Sequence, residues 1–473
     1  MKQTSTFQTL YLTSCLSGML FFVYSNELQS AEQMKPGGKP DSTIQLSVKP
    51  ETERYTVLGM GGNYVFGGVT GPIAKHTLAT IPLTYSRTQM VLQNLNDFSG
   101  ATNLDAAARA AIAERDQPGT ALGKALVIER ELARRKIPSL ISVWRVPDWM
   151  LDTTTRRNAS LIAEEKWPAL IAAVRQYLIY IRETCGSEPV AFSFNEPDTG
   201  VHVKFSAEQH RDAIKKIGAG LAAKKLKTKM VLGDLNHAAH SIKYLRPAVA
   251  DPEAMKHVGI ISFHSWGGAD PDEYAEWPAL ARRLNLPLMV GEAGPNSRAL
   301  KDGTLKTSRL ALAEMDQYQE MLLYACPQAI IHWEYTADFR LLDEDPAVPG
   351  RLEPNFRYAL QKHWVTFIPA GSMALETIGS TGNVYFTAFA FPQDSKRGYS
   401  LFITNSGNEP KQVMVTGMPD EVHDLNVVCS SMQKFFTIGK PLKKTRSGFS
   451  VDVPAQSIMT LTTADAGAIL EPR

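Results

Sequence analysis

The sequence is poor in cysteine, with four residues in 473. Cys15 lies near the amino terminus and precedes the apolar run there, so it is badly placed for a lipid-modified terminus. Cys185, Cys326 and Cys429 are too widely spaced for a disulfide framework or a paired-cysteine metal site. They read as buried thiols, with a single disulfide left open. Long apolar runs are also lacking: Leu16–Tyr24 is the nearest, and it is too short to span a bilayer comfortably. The net charge is only +2, so the strong basic field that nucleic-acid binding uses is missing. The locally basic Leu221–Lys229 reads as the solvated end of a helix. The glycine-rich turn around Met60-Gly61-Gly62-Asn63 lacks the spacing of a nucleotide-phosphate loop. His237 and His240 with Asp234 do not make an HExxH or an open three-ligand metal pattern. No internal repeat or low-complexity tract occurs. What remains, 44% apolar and 21% charged, is the composition of a globular chain long enough for two domains.

The amino terminus reads as a targeting segment. Lys2 gives a positive start, Leu16–Tyr24 an apolar core, and small polar residues follow through Ser30 and Ala31. Residues 1–31 are therefore expected to be a signal peptide cleaved near Ser25–Ala31. That makes the mature protein secreted or periplasmic, with no stable membrane association afterwards; an uncleaved membrane anchor is the alternative. Residues 32–51 hold a Gly/Pro/Lys-rich linker, Met34–Ser42, and a strand at Thr43–Val48 that lies before the next domain and can supply an extra strand to the C-terminal β domain described below.

From residue 52 to 366 apolar runs and helical stretches alternate. Eight runs are expected as strands: Tyr55–Phe66, Leu83–Leu92, Ser139–Met150, Val190–Gly200, Lys229–Asn236, His257–Gly268, Leu286–Gly294 and Ala329–Tyr335. Helical patterns lie between them, including Asp105–Lys136, Ala163–Thr184, Ala207–Lys225 and Leu310–Cys326, with Phe356–Trp364 closing the series. Eight such units fit an α/β fold of the (β/α)8 TIM-barrel type, with a doubly wound sheet as the less economical alternative. Residues 367–473 differ. Short alternating runs such as Asn383–Phe391, Tyr399–Thr404, Phe449–Val453 and Ser457–Thr462, punctuated by turn residues, point to a C-terminal all-β sandwich.

In such a barrel the chemistry gathers where strands end. The fourth run stops at Asn195-Glu196-Pro197, where proline has no N–H for a ladder. The seventh ends at Gly291-Glu292-Ala293-Gly294. Two carboxylates at two strand ends of one barrel are what glycosidic-bond hydrolysis requires. Arg87, Trp144, Asn236-His237, His264 and Trp333-Glu334 sit at the other strand ends.

These residues resemble the retaining glycoside hydrolases built on a (β/α)8 barrel with glutamates on strands four and seven. Val143-Trp144-Arg145-Val146-Pro147-Asp148-Trp149-Met150 is similar to the third strand of glycoside hydrolase family 30, although Arg145-Val146 stands where Ser-Pro is usual. Thr366-Phe367-Ile368-Pro369-Ala370-Gly371 and the trailing β domain point the same way, and family 39 shares much of the pattern. The resemblance implies Glu196 as acid/base, Glu292 as nucleophile, a β-linked oligo- or polysaccharide as substrate, and no metal or organic cofactor. A carbohydrate-binding protein that has lost turnover is the rival reading, as is a metal-dependent hydrolase.

Chemistry assigns the remaining candidates. Asn195 can hydrogen-bond the sugar 2-hydroxyl. Arg87 can hold Glu292 ionised. His264 can orient the nucleophile. Trp333 offers a flat face to a sugar ring, and Trp144, Trp266 and Tyr335 are weaker candidates for that role. Asp234, His237, Asp198 and Glu334 are supporting groups. While Glu292 is ionised, its like charge is expected to raise the pKa of Glu196.

Overall fold

A computed structural model describes residues 43–154, 160–345, 347, 348, 350–393 and 396–470. The expected signal segment and most of the linker lie outside the described residues. The strands in chain order are β1 (Ile44–Thr56), β2 (Gly59–Tyr64), β3 (Tyr85–Gln89), β4 (Ser139–Val143), β5 (Ala191–Phe194), β6 (Lys229–Leu235), β7 (Val258–His264), β8 (Leu288–Ala293) and β9 (Ala329–His332). β2 to β9 form a closed parallel barrel, sealed by pairing of Gly59 with Ala329. Closure removes the doubly wound alternative. The helices of this half are α1 (Pro72–Thr80), α2 (Leu104–Arg115), α3 (Ala121–Arg134), α4 (Trp167–Cys185), α5 (Ala207–Ala223), α6 (Arg246–Val249), α7 (Pro252–Met255), α8 (Pro271–Leu284), α9 (Ser308–Glu320) and α10 (Phe356–Phe367). No helix among the described residues is long and apolar enough to cross a membrane.

Two expected boundaries shift for local reasons. The single helix expected over Asp105–Lys136 is two, because Pro118 and Gly119 break it and Thr120 caps the second half by accepting from the Gly123 N–H. The first barrel strand starts at Gly59 rather than Tyr55. Tyr55 and Thr56 end β1, which pairs outside the barrel. Nothing in the sequence separates the two strands except Val57-Leu58, whose N–H groups bond to Ser372 and Gln328 on different elements.

Inside the barrel the strand alternation stacks side chains in layers. The lower layer is apolar: Tyr85, Leu140, Ala191, Val231, Ile260, Met289 and Ile331 pack together. Two residues further along each strand the side chains become polar or small. Arg87, Ser142, Ser193, Ser262 and Gly291 stand above Tyr85, Leu140, Ala191, Ile260 and Met289, and Asp234 joins them from β6. A barrel interior is ordinarily filled by branched aliphatic residues, so this polar layer marks the end of the barrel where function is expected.

The remaining strands are β10 (Leu342–Glu344) and β11 (Leu352–Pro354), a small hairpin in the loop after β9, then β12 (Met373–Ile378), β13 (Val384–Gln393), β14 (Lys396–Asn405), β15 (Lys411–Thr416), β16 (Asp424–Ser431), β17 (Thr437–Ile438), β18 (Leu442–Lys443), β19 (Phe449–Val453) and β20 (Ser457–Thr462). One ten-stranded sheet runs β17-β16-β20-β14-β13-β12-β1-β15-β19, with β18 pairing β16. Leu46, Leu375, Phe386, Leu401, Val413, Val427, Phe449 and Leu461, drawn from both ends of that order, share one core, so the sheet folds over on itself. β1 sits inside it, antiparallel to β12 and parallel to β15. Its ladder to β12 slips between Lys49 and Glu53, where Pro50 has no N–H to give. α10 fastens the sheet to the barrel. Buried His363 places Nδ1 2.7 Å from Thr460 Oγ1 and Nε2 2.9 Å from Ser430 Oγ. The three described cysteines are free thiols.

Candidate active site

The polar layer is organised on Arg87. Its side chain is fully buried and every donor group has a partner. Nε donates to Ser142 Oγ at 2.9 Å. One terminal nitrogen donates to Glu292 Oε1 at 2.7 Å and Asn63 Oδ1 at 3.2 Å, the other to Asp234 Oδ2 at 2.6 Å and Asn195 Oδ1 at 2.7 Å. The guanidinium carbon lies 4.4 Å from the Trp144 ring centre. A planar fork is the group that can meet four strands at once. Asn63 completes the clamp, donating to the Gly291 and His332 carbonyls at 3.0 and 3.1 Å.

Irregular backbone at the rim aims the acids. The β6–β7 register shifts between Gly233 and Leu235, and the β8–β9 register between Val290 and Ala293. Such bulges re-aim side chains. They turn Asp234 and Glu292 into the site. Asp234 has φ 63° and Glu196 φ 46°, a left-handed conformation that costs a non-glycine residue about 1 kcal/mol. The Glu196 N–H donates to the Asp234 carbonyl at 3.1 Å, which ties the two bends together.

His264, fully buried, stands among three carboxylates. Nε2 is 3.1 Å from Asp234 Oδ1, and Nδ1 is 3.0 Å from Glu196 Oε1 and 3.4 Å from Glu292 Oε2. Burial works against its charge, but Glu292, Asp234 and Glu196 outweigh it and push the imidazole up to about 10. The three carboxylates around it favour the imidazolium. Burial lifts Glu292 to about 7, against the pull of His264 and Arg87 and with help from the Glu196 charge. Glu196 moves the other way. Burial would raise it, but the His264 hydrogen bond and charge, with Asn236 and Arg87, hold it below the usual carboxylate value. The upward shift expected for Glu196 beside an ionised Glu292 does not result, because His264 and Asn236 lie against its carboxylate. One oxygen of Glu196 and one of Glu292 lie within 4.8 Å of each other. Groups this close titrate as a pair.

Glu196, His264 and Glu292 are the cluster among the described residues with metal-ligand spacing. Both His264 nitrogens face carboxylates, an arrangement that favours the doubly protonated ring over a metal-ligating one. The set is built for sharing protons.

Above the acids is an aromatic wall. Trp266 Nε1 donates to Glu292 Oε2 at 3.2 Å. The Trp333 ring centre lies 6.0 Å from Trp144 and 6.4 Å from Trp266. Phe66, 43% exposed, closes on Trp144 and Trp333 at 5.8 and 6.1 Å. Of the residues singled out from the sequence, Glu196, Glu292, Asn195, Arg87, His264, Trp333, Trp144 and Trp266 therefore meet at one end of the barrel.

Other candidates do different work. Tyr335 is buried behind the barrel against Tyr64 and His332 and is no part of the wall. Glu334 accepts N–H bonds from Thr336, Ala337 and Phe339 and shapes its loop. His237 Nδ1 lies 2.6 Å from the Trp266 carbonyl, and Asp198 accepts from the Asn236 N–H at 3.2 Å. The reading from sequence missed Asn63, Phe66 and the serines 142, 193 and 262. Their only signal is the two-residue alternation from strand residues already expected to face inward.

No protein-family model and no curated protein matches the sequence. Solved structures do match in fold. A family 30 endoxylanase from Clostridium papyrosolvens C71 superposes with TM-score 0.71 at 14% identity, covering 88% of this chain and 99% of that one. A family 30 subfamily 8 xylanase from Clostridium acetobutylicum gives 0.69 at 17%, covering 88% and 99%. An endo-beta-1,6-glucanase gives 0.64 at 16%, covering 89% and 94%. The likeness is one of fold, a TIM barrel with an attached β domain.

Proposed function

We propose that the protein is a retaining glycoside hydrolase acting on a β-linked oligo- or polysaccharide after export. The observation that carries this is the pair Glu196 and Glu292, with oxygens within 4.8 Å at the ends of β5 and β8. Retaining pairs stand about 5–5.5 Å apart and inverting pairs about 6.5–9.5 Å. The aromatic wall suits the C–H face of a sugar, and the fold is that of proteins named as xylanases and an endo-glucanase. The amino-terminal apolar segment supports export.

Glu292 is the nucleophile in this reading. Arg87 and Trp266 hold its two oxygens, fixing the carboxylate for attack on the anomeric carbon. Glu196 gives its proton to the leaving oxygen and afterwards takes one from water. His264 Nδ1 lies 3.0 Å from Glu196 Oε1 and 3.4 Å from Glu292 Oε2, within reach of both, so it can pass a proton from one glutamate to the other.

The test is hydrolysis of a panel of aryl β-glycosides and β-linked polysaccharides, with the product anomer followed by proton NMR. Wild type is expected to release the β-anomer first. Glu292→Gln and Glu196→Gln are each expected to lose about 1000-fold or more in kcat. Binding without cleavage by wild type would favour the carbohydrate-binding rival, and first release of the α-anomer would sink the retaining mechanism.

A further inference from the structure

Asp234 bonds directly to neither glutamate side chain nor to the aromatic wall, yet four side-chain donors converge on it. It is fully buried. It accepts from Arg87 at 2.6 Å, Ser193 Oγ at 2.7 Å, Ser262 Oγ at 3.0 Å and His264 Nε2 at 3.1 Å. Three strands contribute a small hydroxyl or no side chain at all so that it fits. At Gly291 a Cβ would stand 2.6 Å from Asp234 Oδ1. From the α5 side, buried His210 accepts the Gly233 N–H at 3.1 Å through Nε2, and its burial keeps it neutral, so it adds no charge.

We infer that Asp234 is a positioning residue that sets the proton count of the catalytic pair, obliging Glu196 and Glu292 to keep one proton between them at mildly acidic pH. The proposal rests on the hydrolase reading only for the use of that proton. The argument is one of charge balance. Two cations, Arg87 and His264, face three carboxyl groups, Asp234, Glu196 and Glu292. A buried cluster resists net charge. Neutrality therefore calls for one proton on the three acids. Asp234, with four donors, is held far below the usual carboxylate value: burial opposes its charge, and Arg87, His264 and Ser193 overcome it. The proton falls to the glutamates. Without the Asp234 charge, the two cations would balance two ionised glutamates and no proton would remain for a leaving group. Asp198, half-buried on the loop after β5, is the further acid near His264. It is not bonded to the cluster, so it modulates the count without setting it.

The experiment is a pH titration of protein labelled with 13C at the glutamate carboxyl carbons and 15N in histidine, with Glu196→Gln and Glu292→Gln assigning the resonances. Wild type is expected to show one proton on the pair at pH 6 and His264 as an imidazolium. Both glutamates ionised at pH 6, or a neutral His264, would overturn the proposal without any variant. In Asp234→Asn the pair is expected to titrate lower by about one unit or more, and Asp234→Glu, which keeps the charge, is expected to retain most of the wild-type titration. An unchanged titration in a folded Asp234→Asn protein overturns it as well. The Ser193→Ala/Ser262→Ala double variant disturbs the packing around Asp234 while leaving the charge, and should keep the proton. On an active substrate the alkaline limb of kcat/KM should move down by the same interval in Asp234→Asn. A chain that titrates as described but cleaves no glycoside loses the hydrolase reading alone.

Discussion

Gly291 shows how finely single positions are used. An alanine Cβ there would meet Asp234 Oδ1 at 2.6 Å, Ser262 Oγ at 2.8 Å and His264 Nε2 at 3.2 Å. None of the three has room to retreat, since each is buried and bonded. Gly291→Ala is expected to destabilise the protein by about 1–3 kcal/mol and to lower kcat/KM by about 10- to 100-fold through the displaced cluster; thermal unfolding and steady-state kinetics check both. The residues legible in the sequence were those at strand ends, where a charged or aromatic side chain interrupts an apolar run. Glu196, Glu292 and Arg87 are of this kind. Asp234 was visible but unranked, because nothing in its neighbours shows that a bulge turns it inward. The serines below the acids escaped because a hydroxyl in a strand is equally at home on either face.

At the scale of elements, the contact between α3 and the barrel wall makes a prediction of its own. Glu129 on α3 is buried against β3 and β4. It accepts from Thr88 Oγ1 and, at 3.2 Å, from Ser139 Oγ. No cation faces it among the described residues, and burial raises its carboxyl to about 7. An unfolded glutamate titrates near 4.3. As pH rises from about 4.5 to 7 the unfolded chain therefore releases a proton that the native chain keeps, and stability falls across that window. The sign is opposite to that of a salt-bridged acid. Glu129→Gln keeps the shape and should remove roughly 3 kcal/mol of this fall, seen as a flatter pH dependence of urea midpoints between pH 5 and 8. The elements themselves were mostly legible, since eight apolar runs with helical spacers leave few folds. What the pattern could not place was where β1 ends and β2 begins, because both are extended and the change of partner leaves no mark on the residues.

The whole molecule depends on that unmarked change. β1 precedes the barrel yet lies in the middle of the C-terminal sheet, so the chain on one side of the barrel and the chain on the other build one core. All seven tryptophans belong to the barrel half, between Trp144 and Trp364. Leu46 on β1 is fully buried in the sheet core. If sheet and barrel unfold as one unit, Leu46→Ala should cost about 2–5 kcal/mol, and the tryptophan fluorescence midpoint should fall together with the far-UV circular dichroism midpoint. A fluorescence midpoint that stays in place would show two independent units.

The position of β1 also fixes an order in time. Ile44 leaves the ribosome early, while its parallel partner Val413 is made near the end. At about 5–20 residues per second, the interval between them is roughly 20–75 seconds. Until β12 is made the first strand has neither neighbour, and until Val413 it lacks its parallel one, so the sheet cannot close however quickly the barrel forms. The newborn chain must carry an open β edge until synthesis is almost complete, and any factor that protects it must act at its leading end.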